Sequence, residues 1–392
     1  MPDFTRVDAA LQRRIANEEL VGVSYAVLRA GEVLARKCLG WADREAQVPL
    51  RDDHLFRAFS NTKLVTSCAA LRLVEQGRIG LDDPVGEYIP ALRSLRALRP
   101  QARSLDDTEP LREPVRVRHL LTHTAGFTYA FLQPNAPIAK AYMAAGMADP
   151  ALTLAQMCDA LARLPLLFQP GADWNYSVAT DVVGRVIEVV SGEALDRHFE
   201  RHVFEPLGMH DTFFAVPPAK QARLARMYIG SMREPMRPGL RRADQLPYPG
   251  AYLQRPARLS GGGGLVTSLD DVARLLAALA TGGAPLLQPQ SMPHVLRNQL
   301  PPGLWIGFPD APRTTGRGHS YAGSVTVESS EVDPTSRPGD LQWGGLAATK
   351  WWIWPARQVS VALMAQRYMG SDLPFWPEFK ALVRAVLEEA GE

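Results

Sequence analysis

The chain is expected to fold as an α/β (α+β) protein, an antiparallel sheet flanked by helices with a large, mostly helical insertion lobe. Three features of its 392 residues lead there. Strand-like runs joined by short turns occur near both ends of the chain. A helix follows each of these strand pairs. Between them lies a long stretch of short helical patterns, prolines and glycines with few strand-like runs. Neighbouring strands joined by tight turns pair antiparallel, because a parallel pair needs a long crossover. Helices from both ends would then cover the faces of that sheet.

In chain order, residues 8–19 suggest a first helix. Residues 21–28 and 32–39 are β-branched and apolar, and Arg29-Ala30-Gly31 between them is a hairpin signal. The next helix follows Ser60. Leu64, Cys68 and Leu71 fall on one face at i, i+4 and i+7, and Gly77 supplies the stop. From residue 81 to about 255 the clearest helices are 152–164 and 180–190. In the second, Asp181, Val182, Val183, Val186, Ile187 and Val190 carry the helical period and Gly192 terminates it. After the glycine-rich run Ser260 to Leu265, Ser268 with Asp270 and Asp271 reads as a cap for a helix over 272–280. Residues 305–340 are rich in Pro, Gly, Ser and Thr and read as loops. The tail returns to strands at 346–354 and 359–365, with a turn at Pro355-Ala356-Arg357, and closes on a helix over 377–390. Alternation would put Trp352 and Trp354 on one sheet face. The expected units are residues 1–80 with 256–392 as the sheet domain and 81–255 as the helical one, with a small-molecule site between them.

Composition narrows the function classes. The 46% hydrophobic and 21% charged content is that of a globular protein. With 43 basic and 41 acidic residues the net charge is +2, which gives no electrostatic case for nucleic acid or an anionic membrane. Cys38, Cys68 and Cys158 are too few for a disulfide framework and lack metal-ligand spacing. Met1 to Arg6 shows no basic segment leading into an apolar one, and no apolar run approaches the roughly 18–20 residues that span a bilayer. A cytoplasmic protein with no membrane span is expected.

Chemistry concentrates at Ser60-Asn61-Thr62-Lys63, which places a hydroxyl and an amine one helical turn apart. A serine is a poor nucleophile at neutral pH without an adjacent base. An amine serves when desolvation and the positive end of a helix dipole favour its neutral form. A second candidate is Tyr176, in a loop running into the helix at Thr180. It either takes part in proton transfer or packs half-buried with its hydroxyl satisfied by backbone. A third is Gln342-Trp343-Gly344-Gly345-Leu346. Two glycines ahead of a strand suggest close backbone approach to a bound molecule, or a simple turn. Backbone N–H groups here and at Ser60 would form an oxyanion hole.

These elements, in this order and over nearly the whole chain, resemble the serine β-lactamase and penicillin-recognising family, most of all its class C-like branch and the family VIII carboxylesterases. Ser60 to Lys63 matches the family's SxxK motif, Tyr176 its Y-x-N or Y-S-x tyrosine, and Trp343-Gly344-Gly345 the W-G-G that such esterases carry where β-lactamases have K-T-G. Arg118 to Gly126 also resembles a recurring segment, with an architectural role expected for it and for the glycine-rich run. The resemblance implies a β-lactamase/transpeptidase-like fold and an acyl-enzyme on Ser60. Lys63 and Tyr176 would be base and acid, the N–H groups of Ser60 and Leu346 the oxyanion hole, and Trp343, Gly344 and Gly345 substrate contacts.

Two departures bear on substrate. Val178 stands where β-lactamases have an asparagine, and Trp343 where they have a lysine. Losing both polar grips leaves an apolar wall and favours neutral esters. The expected activity is a carboxylesterase for short acyl chains with no metal or cofactor. Its rivals are a β-lactamase or D-alanyl peptidase, an acyltransferase to an alcohol, and a catalytically silent binding homologue. Gly318-His319-Ser320-Tyr321-Ala322 imitates a nucleophile elbow but lacks the strand and helix that one needs. Arg313 to Gly316 imitates K-T-G between prolines. His119 and His123 read as a structural pair.

Overall fold

The computed structural model describes residues 2–309, 313–331 and 333–391. Parts of the stretches discussed above, at 1, 310–312, 332 and 392, lie outside the described residues. The first helix, α1, spans Thr5–Ala16. It leads into a hairpin of β1 (Gly22–Arg29) and β2 (Glu32–Asp43), turned at Ala30 and Gly31 with φ of 49° and 86°. Both values suit a tight hairpin turn whose twist matches the strands. β3 (Val48–Pro49) extends the hairpin. From the far end of the chain come β4 (Arg317–His319), β5 (Ser324–Thr326), β6 (Leu341–Gly345), β7 (Thr349–Trp354) and β8 (Val359–Ala365). All eight form one antiparallel sheet, in the order β4-β5-β6-β7-β8-β1-β2-β3.

β1 is central, and buried on both faces. Its odd-numbered residues Val23, Tyr25 and Val27 pack with Leu11 of α1 and with Phe379 and Val383 of the closing helix. Ala26 and Leu28 point the other way, into a core shared with Leu276 and with Leu64 and Cys68. The period-2 alternation of a strand thus sorts one sequence run into two cores. Trp352 and Trp354 share the first core while Trp351 and Ile353 enter the second, as alternation requires.

Two helices flank the site: α2 (Thr62–Glu75) and α3 (Ala179–Ser191), the latter closed by left-handed Gly192. α4 (Leu269–Ala280) is capped by the Ser268 hydroxyl, which accepts the Asp271 N–H at 3.2 Å. α5 (Phe375–Glu389) closes the chain. Between residues 81 and 255 short helices such as Leu154–Leu161 predominate. Even so, a strand there, Tyr228–Ile229, pairs with Arg367–Tyr368. Among the described residues no helix is long and apolar enough to cross a membrane.

Two expectations need correction. Residues 305–340 hold β4 and β5, strands of three residues each. Runs this short show no readable alternation, and their loop-like composition hid them. A strand therefore does precede Ser320, but β5 rather than a helix follows, and the Ser320 hydroxyl is spent on Gly323 O at 3.1 Å. The strand expected over 346–354 begins only at Thr349, because 346–348 is the turn joining β6 to β7.

The loop after β5 is pinned from α5. Lys380 Nζ lies 2.7 Å from both Asp333 carboxylate oxygens and 2.6 Å from the Ser336 hydroxyl, and Arg384 pairs with Asp340. Lys380 is 3% exposed, so removing its charge strands a half-buried carboxylate. Arg317, 2.6 Å from Asp333, offsets part of that cost. Lys380→Met is expected to lower unfolding free energy by about 3 kcal/mol in urea titration, the lower end for a broken buried pair.

Candidate active site

Ser60 lies in a single 3₁₀ turn, Phe59–Asn61, that feeds α2. The residue before it, Phe59, has φ of 46°. That left-handed backbone costs a non-glycine residue about 1–3 kcal/mol, and persists only where its surroundings impose it. They do so here. The Ala58 N–H donates to Leu265 O at 2.8 Å, while the Ala58 carbonyl accepts the Asn61 N–H at 3.2 Å and the Thr349 hydroxyl at 3.1 Å. The Phe59 ring is edge-on to Tyr252 and Tyr368 and packs with Met227, Ala347 and Leu346.

β6 passes beside this turn. A Cβ on Gly345 would sit 2.2 Å from the Ala58 carbonyl oxygen, so only glycine fits. The close approach expected of Gly344-Gly345 is thus, at Gly345, to the protein's own backbone rather than to a ligand. Trp343, Gly344 and Gly345 lie inside β6, not ahead of a strand. Leu346 opens the turn that follows, against the Phe59 cluster.

Lys63 and Tyr176 both reach Ser60. The Tyr176 hydroxyl donates to Ser60 Oγ at 2.6 Å, and Lys63 Nζ stands 3.5 Å from the same oxygen. Lys63 also donates to the Gly262 carbonyl at 2.7 Å and the Tyr129 hydroxyl at 3.0 Å. Its three N–H bonds therefore have three acceptors.

Tyr176 is set by the loop before α3. The Asn175 side chain donates to Phe127 O at 2.9 Å, and the Asn175 N–H to His123 O at 3.0 Å. His123 bonds the Ser177 hydroxyl at 3.2 Å and lays its ring 4.9 Å from that of Tyr176. The segment Arg118 to Gly126 is thus the bed on which Tyr176 rests. His119 and His123 do not bond each other: His119 Nδ1 accepts the Arg116 N–H at 3.2 Å.

Sequence reasoning missed Tyr129, Asp181 and Gly262. Asp181 accepts the Ser260 hydroxyl at 2.6 Å and the Gly262 N–H at 3.1 Å, which aims the Gly262 carbonyl at Lys63. A Cβ on Gly262 would meet Asp181 at 2.6 Å and Tyr129 at 2.8 Å. A signal was present, since Asp181 is a carboxylate in the apolar period of α3. Nothing comparable marked Tyr129.

The surrounding wall is aromatic. The Tyr176 ring lies 5.4 Å from Trp343 and 5.7 Å from Phe308, and Trp174 packs beside it with Leu300 and Ile306. Val178, expected in this wall, is instead buried in the main core. Burial keeps the local imidazoles neutral: His319, 5.4 Å from Trp343, is pushed down to about 4, and His123 well below its ordinary value. Burial, and then the charge of Asp181, pushes the Tyr129 phenol well up, so it stays protonated.

With this geometry in place, the comparisons with known proteins are direct. The Beta-lactamase family profile matches residues 7–384. Esterase EstB of Burkholderia gladioli is 34% identical over 385 residues, covering 94% of this chain and 92% of EstB. The lovastatin esterase of Penicillium rubens is 32% identical over 327 residues, 79% of this chain and 78% of its own. The structure of EstCE1, a hydrolase with promiscuous acyltransferase activity, superposes with a TM-score of 0.80 at 30% identity, over 96% of this chain and 97% of that one. Unliganded simvastatin synthase (LovD) of Aspergillus terreus shares the fold, with a TM-score of 0.78 at 23% identity over 99% and 98% of the two chains. The chain belongs to the beta-lactamase family. It is a serine hydrolase of the β-lactamase fold, and among the relatives named above are two esterases and a hydrolase with promiscuous acyltransferase activity.

Gly345→Ala pushes β6 away from Ala58 and should cost activity well beyond any fall in melting temperature. Steady-state hydrolysis beside a thermal melt measures both. His123 and His319 are neutral when folded, whereas unfolded histidine titrates near 6.5. Between about 6.5 and about 4 the unfolded chain binds more protons, so stability is lost as pH falls through that window. His319 should contribute a slope of at most about 1 kcal/mol per pH unit there, and His123 a change of the same sign, read from denaturant titrations at stepped pH.

Proposed function

We propose that this enzyme is a carboxylesterase that hydrolyses neutral esters of short acyl chains through a covalent acyl-enzyme on Ser60. The observation that carries the reading is the convergence of Tyr176 and Lys63 on one serine oxygen, at 2.6 and 3.5 Å. In the reacting state the Tyr176–Lys63 pair holds one proton fewer than its full complement. Ser60 Oγ attacks the ester carbonyl as its proton passes to the phenol oxygen, the nearer of the two groups. Lys63 compensates the charge there, with its Nζ 4.6 Å from the Tyr176 ring centre. The same proton is then delivered to the departing alkoxide. Water enters by the same route in reverse and releases the acid. In this proposal the Ser60 and Leu346 N–H groups hold the oxyanion, and no cofactor or metal enters the cycle.

Trp343, with Trp174 and Phe308, supports the choice of a neutral ester over a β-lactam or peptide carboxylate. The relatives named as esterases agree with it. A second reading, acyl transfer to an alcohol, draws on the aromatic surface, which favours a bulky apolar acceptor over water. It also draws on the transfer activity named for EstCE1.

Ser60→Ala is expected to abolish labelling by a fluorophosphonate probe. If that variant labels as fast as the parent, the acyl-enzyme lies elsewhere and the proposal fails. Tyr176→Phe should lower kcat/KM for p-nitrophenyl esters about 10²–10⁴-fold, the usual worth of a positioned acid–base group. Tyr129→Phe removes one partner of the Lys63 ammonium, worth about 1.5 kcal/mol or more, and should cost about tenfold. Rates from acetate to octanoate esters test the acyl preference. Added alcohol acceptors separate transfer from hydrolysis, and a chromogenic cephalosporin tests the β-lactamase alternative.

A further inference from the structure

Among the described residues outside the active site, one cluster of side chains has the donor set and spacing of a metal site. Glu193 follows the left-handed Gly192 that ends α3. His198 belongs to the helix Leu195–Phe199, and His202 to the π-helical turn Glu200–Phe204 that continues it. Single π turns inside helices recur at functional sites. The Glu193 carboxylate oxygen Oε2 lies 3.2 Å from His198 Nδ1 and 3.4 Å from His202 Nε2. All three ligand atoms fall within 4.8 Å of one another. Bonds of about 2.0–2.2 Å to a tetrahedral ion give ligand–ligand edges of roughly 3.3–3.6 Å. The two distances through Glu193 are close to such edges.

We propose that Glu193, His198 and His202 bind one divalent transition-metal ion of the Zn²⁺ class, with water as the fourth ligand. Two imidazoles and a carboxylate suit a borderline cation, not Mg²⁺ or Ca²⁺, which want oxygen throughout. The surroundings fit a built site. His198 is buried, which holds its ring in place beside the Glu193 carboxylate. The Arg201 guanidinium holds the other Glu193 oxygen, leaving Oε2 for the ion. His202, with 30% of its side chain exposed, gives the ion an entry path and room for water. The ring centres of His198 and His202 lie 4.5 Å apart, with the planes tilted by 44°. Bound there, the ion would tie the end of α3 to the helix after it. None of these residues touches the Ser60 machinery, so the proposal stands independently of the esterase reading.

The test uses the tag-free full chain, stripped with chelator and titrated with Zn²⁺ by calorimetry and with Co²⁺ by visible absorption. One saturable equivalent is expected, with tetrahedral Co²⁺ bands and a rise in melting temperature on Zn²⁺ addition. His202→Ala and Glu193→Gln should each weaken binding at least tenfold. His210→Ala, an exposed histidine outside the cluster, should bind as the parent does. Ester hydrolysis by His202→Ala should be unchanged. Absence of saturable uptake overturns the proposal, as does uptake unaffected by either ligand variant. Should one variant fail to fold in the metal-free state, the other decides.

Discussion

The site depends on one steric constraint, the meeting of the Ala58 carbonyl with the α-carbon of Gly345. It joins the turn that carries Ser60 to β6, which carries Trp343 and leads into the turn at Leu346. With a side chain at 345 the two backbones could not approach, and any oxyanion pocket formed between them would open. The same contact helps impose the left-handed Phe59, whose cost of about 1–3 kcal/mol is borne by the Tyr252 and Tyr368 rings and the hydrogen bonds at Ala58. Strain next to a nucleophile is stored by a rigid frame. Here that frame is an eight-stranded sheet buried on both faces along β1.

A second restraint acts on Lys63. Its amine is fixed by a carbonyl, at Gly262, which is itself fixed by Asp181 from the first turn of α3. α3 thus serves twice: the loop entering it delivers Tyr176, and its first turn orients the acceptor for Lys63. Since α2 and α3 pack side by side in one core, Lys63 and the loop that carries Tyr176 are both held against that core. The glycine-rich run, taken from sequence as architectural, is therefore one contact away from the proposed chemistry.

What could be read from sequence followed physical range. The Ser60–Lys63 pair is local, set by helix periodicity, and the long strands and helices announced themselves through period 2 or 3.6. Tyr176 was legible only through the resemblance, since nothing local distinguishes a proton-handling tyrosine from a packed one. β4 and β5 were hidden because three residues cannot display a period. The limits of β6 and β7 were misplaced because Leu346 to Ala348 are apolar, like the strand that follows, yet turn with Ala348 at φ of 64°. Tyr129 was invisible because its role comes entirely from partners 66 residues upstream and further downstream.

The wall around Tyr176 bears on the balance between water and alcohol as acceptor. An anionic substrate would need a cation to meet it, and Lys63 is already committed to three neutral oxygens. His123 and His319 remain uncharged across the physiological range and add no positive field. The nearby accessible surfaces are Trp343, Phe308 and Phe131, the last stacked 5.0 Å from Tyr129 and largely exposed, with Trp174 buried behind them. Apolar surface of this kind gains free energy from any acceptor that covers it, at about 25 cal/mol per Å². Water gains nothing there. On the transfer reading proposed above, an alcohol with an aromatic or branched body would compete with the far higher concentration of water by occupying this wall. Enlarging or trimming Phe308 should shift the ratio of transfer to hydrolysis more than it shifts the rate of acylation.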